Sequence, residues 1–394
     1  MEKAKFGHLG NLGLLMGVLF GGTALALMFG GDKAMGAEMV RSWTWAWGVF
    51  MALTLGSLGM ALLSYITRGA WSQSVLRLFE AGGGAKTLFI MALLFLPVAA
   101  NFGVPYYKWF PLQVHDEYMV TKAQWLNPQG FGIRFGIYFL IWMYLAARLR
   151  KSSLRQDESR EIREQHFRTN LASPGMVVFI LSVTLAATDW FMSMDPHWFS
   201  TMYGPLFIIV SANMALALAT FIVCRNAKKE PYNQIVSEDL TKDLGNLNFM
   251  MTMLWIYFSL SQFIIIWSGN LPEFTSFYYK RQVESQFLLI LGAVNVVFGW
   301  LIPWTALLAP RTKRNLSLLA FTAAAIFLMR FIDLYWTIMP FMRGGQVLPI
   351  WTDLLAILSI GSFWMWMFGK TTTEAELLPA HDTRLQEALH HEHA

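Results

Sequence analysis

Ten apolar stretches alternate with polar segments along the chain, and each is close to the ~20 residues a helix needs to cross a hydrocarbon core about 30 Å thick. They run Leu9–Phe29, Trp43–Ile66, Thr87–Val104, Gly130–Leu149, Pro174–Met194, Pro205–Cys224, Leu247–Ser268, Ser285–Leu308, Leu316–Ile338 and Gln346–Phe368, and are numbered here as spans 1 to 10. None shows the apolar/polar alternation of a barrel strand. Backbone in lipid must satisfy its own hydrogen bonds, so the pattern predicts an all-α polytopic membrane protein of about ten transmembrane helices. Span 1 follows Lys3 and Lys5 but is longer than a signal-peptide core, and nine spans follow, so it is read as a helix. Residues 1–369 form the transmembrane domain and 370–394 a polar tail.

Polar positions inside the spans change the picture most. An ionisable group at membrane depth costs about 2.5 kcal/mol or more, so it faces a bundle interior or a polar pathway. Leaving aside Arg148 at the edge of span 4, which is counted with the following loop, five such groups occur: Arg134, Asp189, Arg330, Asp333 and Asp353. Asp189 lies near the end of span 5, followed at once by the turn Asp195-Pro196-His197. Ser182, Ala186, Asp189 and Ser193 share one face at helical spacing, as do Arg330, Asp333 and Thr337. Asp189 is therefore either an acid on a proton path or half of a structural lock with one of the two arginines. Arg330/Asp333 is either a pathway element or a neutralised pair joining helices. Asp353 is expected to be solvated. Asn213, Gln262 and Asn295 sit deeper, each as interhelical glue or together along a file of water.

Lysine and arginine set the orientation. Twenty-one lie in the termini and the even-numbered loops, against seven in the odd-numbered loops. By the positive-inside rule both termini are cytoplasmic, and the five buried charges fall in the outer half of the membrane. The net charge of +5 is then largely topological, and its spread over short loops argues against a nucleic-acid surface. The loop 150–170 is mixed in charge, is expected to be partly helical, and reads as a solvated connector. The outer loop 105–129 differs in kind: aromatic, proline-rich and centred on His115-Asp116-Glu117, it suits a partner surface or an interfacial anchor.

One cysteine, Cys224, and eight histidines, none in the middle of a span, leave no ligand set for an iron–sulfur cluster or a transmembrane b-type haem. The chain is expected to carry no redox metal of its own, and His390, His391 and His393 read as part of a solvated tail.

The stretch DWFMSMDPHWFSTMYG at 189–204 resembles the signature of the second NrfD/PsrC-like membrane subunits of bacterial Alternative Complex III. The segments LGNLNFMMTMLWIYFSLSQFIIIWSGNLPEF at 244–274, LIPWTALLAPRTKRN at 301–315 and MRFIDLYWTIMP at 329–340 agree with it in order. The resemblance implies two four-helix bundles, helices 2–5 and 6–9, flanked by helices 1 and 10. It implies a place in a quinol-oxidising complex of the inner membrane, beside an NrfD-like sister subunit and periplasmic haem and iron–sulfur subunits. In that family this subunit type is associated with assembly and proton half-channels, and is not catalytic on its own. Carried over, the proton-path candidates are Asp189, Asp195, His197, Arg330 and Asp333, with Arg134, Trp190 and Asp353 as neighbours of a quinone or of a helix lock. The chain departs from the family where a histidine is expected in helix 8 ahead of Pro303; Gly299-Trp300 stands there instead. Two other readings remain: direct binding of quinol or menaquinol by this subunit, and an ion-coupled transporter. The transporter reading is the weakest, since no repeat is visible and only Pro97 and Pro303 lie deep.

Overall fold

A computed structural model of the protein describes residues 4, 6–67, 69–110, 117–345, 347–379 and 382. His115, Asp116, His381, His390, His391 and His393 lie outside these residues.

Among the described residues the fold is entirely helical, with ten helices long and apolar enough to span a membrane. They are α1 (Gly7–Gly30), α2 (Lys33–Thr67), α3 (Leu76–Ala100), α4 (Pro128–Ser159), α5 (Ile162–Met194), α6 (Tyr203–Asn226), α7 (Glu238–Gly269), α8 (Gln286–Leu308), α9 (Leu316–Arg343) and α10 (Trp351–Thr372). Helix starts follow capping chemistry: the side chains of Asn127, Ser237, Ser285 and Asn315 accept the first free amides of α4, α7, α8 and α9.

α2 packs on α3 and α5, α3 on α4, and α4 on α5. In the second half α6 packs on α7 and α9, α7 on α8, and α8 on α9. The halves join where α2 and α6 meet at Gly56: a β-carbon there would lie 1.8 Å from the Ser211 carbonyl, so only glycine lets the backbones approach. α1 lies on α10 through a stripe of small residues, Gly10, Gly13, Gly17, Gly21 and Ala24. Such stripes suit helices in lipid, where close packing replaces the hydrophobic drive of water.

Three expectations are corrected. The segment 150–170 is not a solvated connector: α4 continues to Ser159, α5 begins at Ile162, and Ser152, Ser153, Gln156, Glu164, Gln165 and Arg168 are buried. Ser152 donates to Glu164 at 2.7 Å, and Arg168 pairs with Asp382 from the tail at 3.3 Å. The polar run is thus the interlocked base of a helical hairpin. Helix 9 runs past Ile338 and Pro340 to Arg343, which places Arg330 fourteen residues from its start and thirteen from its end. Arg330 therefore lies at the middle of its helix. Asp353 is buried at 5% exposure, as described below.

Candidate functional site

The charged residues singled out in the spans, with Asp195, resolve into three ion-paired ties and one looser centre. The first tie surrounds Asp189, which is 1% exposed at the end of α5. Arg134 from α4 donates from Nε to Oδ2 at 2.7 Å and from its terminal nitrogen to Oδ1 at 3.1 Å. The Tyr138 hydroxyl donates to Oδ2 at 2.9 Å, and the Trp125 indole to Oδ1 at 2.8 Å. Arg134 also stacks 4.1 Å from the Trp125 ring and donates to its carbonyl. Both carboxylate oxygens are thus held by a bidentate fork and two neutral donors, an arrangement strong enough to offset the burial of the charge. Arg134, and not Arg330, is the arginine on Asp189. Trp190 turns the other way, into a cluster of rings with Trp47, Phe135, Tyr138, Phe139 and Trp142.

The second tie gathers three loops. Asp195 Oδ2 accepts from Lys108 at 2.9 Å and from Lys280 at 3.0 Å, and Lys122 donates to the Pro196 carbonyl. The loops after α3, α5 and α7 are pinned together by this turn. Burial works against the charge, yet the two ammonium groups hold Asp195 below the ordinary carboxylate value. Burial lowers Lys108 from its ordinary value in spite of Asp195. His197 follows in the same turn and is exposed.

The third tie corrects the reading of Asp353. Arg343, at the end of α9, grips both carboxylate oxygens at 2.9 Å, and Ser42 and Tyr335 add hydrogen bonds at 2.7 and 3.1 Å. Arg343 also reaches Glu38 at 2.9 Å. The sequence missed this because the arginine lies beyond the apolar part of span 9.

The fourth centre, Arg330/Asp333, is different. Asp333 Oδ1 accepts from the Asn295 amide at 2.7 Å, and Oδ2 from the Trp255 indole at 3.0 Å; Arg330 stands 3.6 Å from Oδ2, an ion pair too long for a hydrogen bond. Arg330 is completely buried, lies 4.0 Å from the Trp255 ring, and donates to the Gly299 carbonyl at 3.0 Å. That carbonyl belongs to a π-helical turn of α8, Val297–Leu301; such turns break the regular ladder and recur at functional sites. Arg330 Nε, its second terminal nitrogen and Asn295 Oδ1 have no hydrogen-bond partner among the described residues. A buried guanidinium with two idle donors is costly, so this centre is not optimised as a lock.

Asp333 and Asn295 line a cavity of about 340 Å³ between α7, α8 and α9. Gln262 adds a third polar group; Phe277 and Tyr278, from the short helix Pro272–Gln282, bound it at one end. Leu260, Leu289 and Val296 line it and are exposed on the side of the bundle, so the cavity opens laterally between α7 and α8. Beside it Arg281, fully buried against Phe277, donates to the carbonyls of Trp336 and Thr337 and fixes the short helix on α9. Gln262 and Asn295 therefore share one cavity, whereas Asn213 bonds to Thr252 at 3.4 Å and does not line it.

Trp125, Tyr138, Trp255, Arg281 and Arg343 escaped the sequence reading, because aromatic donors look like interfacial belts and the last two lie in polar segments. Gly299 in α8 leaves the space that Arg330 occupies, and a β-carbon there would stand 2.7 Å from its guanidinium. No protein-family model matches the chain, and none of the curated proteins matches it.

Proposed function

We propose that this chain is an integral subunit of a quinol-oxidising complex in the bacterial inner membrane, of the NrfD/PsrC-like kind, in which Asp333 is the protonatable group. The observation that carries this reading is the Arg330/Asp333 centre: a carboxylate at mid-helix, beside a guanidinium with unused donors, on the wall of a lateral cavity. Asp189, Asp195 and Asp353 are each held by cations at hydrogen-bonding distance and serve to lock helices and loops. A carboxylate whose cation stands back can accept and return a proton without breaking a fork of hydrogen bonds.

The segments at 189–204, 244–274, 301–315 and 329–340 support the family. The neighbour relations of α2–α5 and α6–α9 are compatible with its two-bundle fold. In this reading both termini are cytoplasmic, and haem and iron–sulfur centres belong to periplasmic partner subunits. The pinned loops around Asp195 and His197 then face those partners.

A second reading is favoured by the lateral mouth of the cavity. Apolar walls with a few polar groups suit the head group of a quinol or menaquinol entering from the bilayer. Asp333 would then accept a hydroxyl proton directly, with Asn295, Gln262 and Tyr278 among the other polar neighbours.

Affinity purification of a tagged chain from its native membrane tests the assignment. Haem-bearing and iron–sulfur subunits are expected with it; recovery of the chain alone, under conditions that keep other membrane complexes intact, would falsify membership of such a complex.

A further inference from the structure

Past the opposite end of α6 from the Asp195 turn lies a groove of about 1010 Å³, walled by the end of α6 and the starts of α7 and α9. Arg225 and Lys228 border it from one side and Arg314 from the other. All three are exposed, and none forms a salt bridge among the described residues; Lys229 adds a fourth cation, against Glu238 as the one acid of the lining. Towards the middle of the helices the wall becomes apolar: Phe221, Ala320, Phe321 and Ala324, with Phe321 75% exposed. The groove is thus basic at its outer end and greasy along its length.

We infer that this groove binds one anionic phospholipid, its phosphate between Arg225, Lys228 and Arg314 and an acyl chain along Phe221 and Phe321. Charge complementarity selects the head group, since Arg225, Lys228 and Arg314 face a single acid among the described residues, and basic pockets between membrane helices take anionic lipids for this reason. The apolar wall selects a lipid over a free phosphate. It turns a ring at membrane depth away from the bundle, where an acyl chain can cover it. The site is separate from the Asp333 cavity and shares no residue with it.

Native mass spectrometry of the full-length chain, delipidated in detergent and titrated with phosphatidylglycerol or phosphatidylcholine, reads the occupancy. The wild type should retain one phosphatidylglycerol with a preference of about tenfold or more over phosphatidylcholine. The Arg225→Gln/Lys228→Gln/Arg314→Gln variant should lose that preference, and Arg163→Gln, an exposed cation outside the groove, should keep it. Equal binding of the two lipids by the wild type overturns the proposal, as does an unchanged preference in the triple variant. Displacement of the lipid by millimolar glycerol phosphate would mean that the groove reads the head group alone, and overturns it too. Should the triple variant fail to yield folded protein, Arg314→Gln alone reads the same ratio.

Discussion

The guanidinium of Arg330 donates to the carbonyl of Gly299 across the π-helical turn of α8, and a β-carbon on Gly299 would stand 2.7 Å from that guanidinium. The absence of a side chain at one position thus allows a fully buried cation at the other. Asp333 completes the arrangement from one turn along α9, its carboxylate held by neutral donors and only loosely by Arg330.

Gly299→Ala should therefore displace Arg330 and weaken the second half of the bundle. Overpacking of this kind costs about 1–3 kcal/mol. Thermal unfolding of the purified protein in detergent is expected to show a lowered midpoint; an unchanged midpoint would mean that α8 shifts freely at the π turn.

The Asp189 tie makes a contrasting prediction. Arg134→Ala leaves a buried carboxylate with neutral donors alone, a loss of ~3–5 kcal/mol for a broken buried pair. Yield and monodispersity on size exclusion should collapse. The double change Arg134→Met/Asp189→Leu removes both charges and should restore much of the loss. If the double variant is as poor as the single one, the charges do more than hold α4 to α5.

Asp195 gives a pH signature. Its folded value lies below the ordinary 3.8 because Lys108 and Lys280 favour the charged form. The stabilisation is accordingly full above the unfolded value of about 3.9 and is lost as pH falls through the folded value beneath it. Unfolding midpoints of the wild type should drop in that acid range, and Asp195→Asn should flatten this part of the profile while lowering the plateau at neutral pH.

The lateral cavity is open to a steric test. Ala293 lines it from α8 and is exposed, so Ala293→Trp can fill the mouth without disturbing the core. Quinone extracted from the purified protein should fall severalfold relative to the wild type, at the same yield. Equal quinone in both proteins would place any quinone elsewhere.

Much of the fold was legible in the chain because a membrane helix writes itself as a long apolar run, and all ten runs became helices. What failed to show was the packing of helix that leaves the apolar zone. The polar segment 150–170 carries no hydrophobic period, yet Ser152–Glu164 and Arg168–Asp382 bond it into a hairpin. Arg343 lies past the apolar part of span 9, and so nothing in the sequence showed a partner for Asp353. The charged residues of the site were legible individually, since a buried charge is rare in any span. Their partners were not. Spacing along one helix pairs Arg330 with Asp333, but it cannot reveal that Trp255 and Asn295 hold Asp333, or that Trp125 and Tyr138 complete the hold on Asp189.

In the proposed function Asp333 is the acid that exchanges protons. The direct measurement is proton release per quinol oxidised by the purified assembly carrying Asp333→Asn, which is close in shape and keeps a group able to bond with Asn295 and Trp255. Assembly is expected to be intact, with turnover lowered about a hundredfold or more, in the range that loss of one positioned acid–base group produces, and with fewer protons released on the outer side per quinol. Wild-type yield and turnover in a fully assembled Asp333→Asn complex would contradict it.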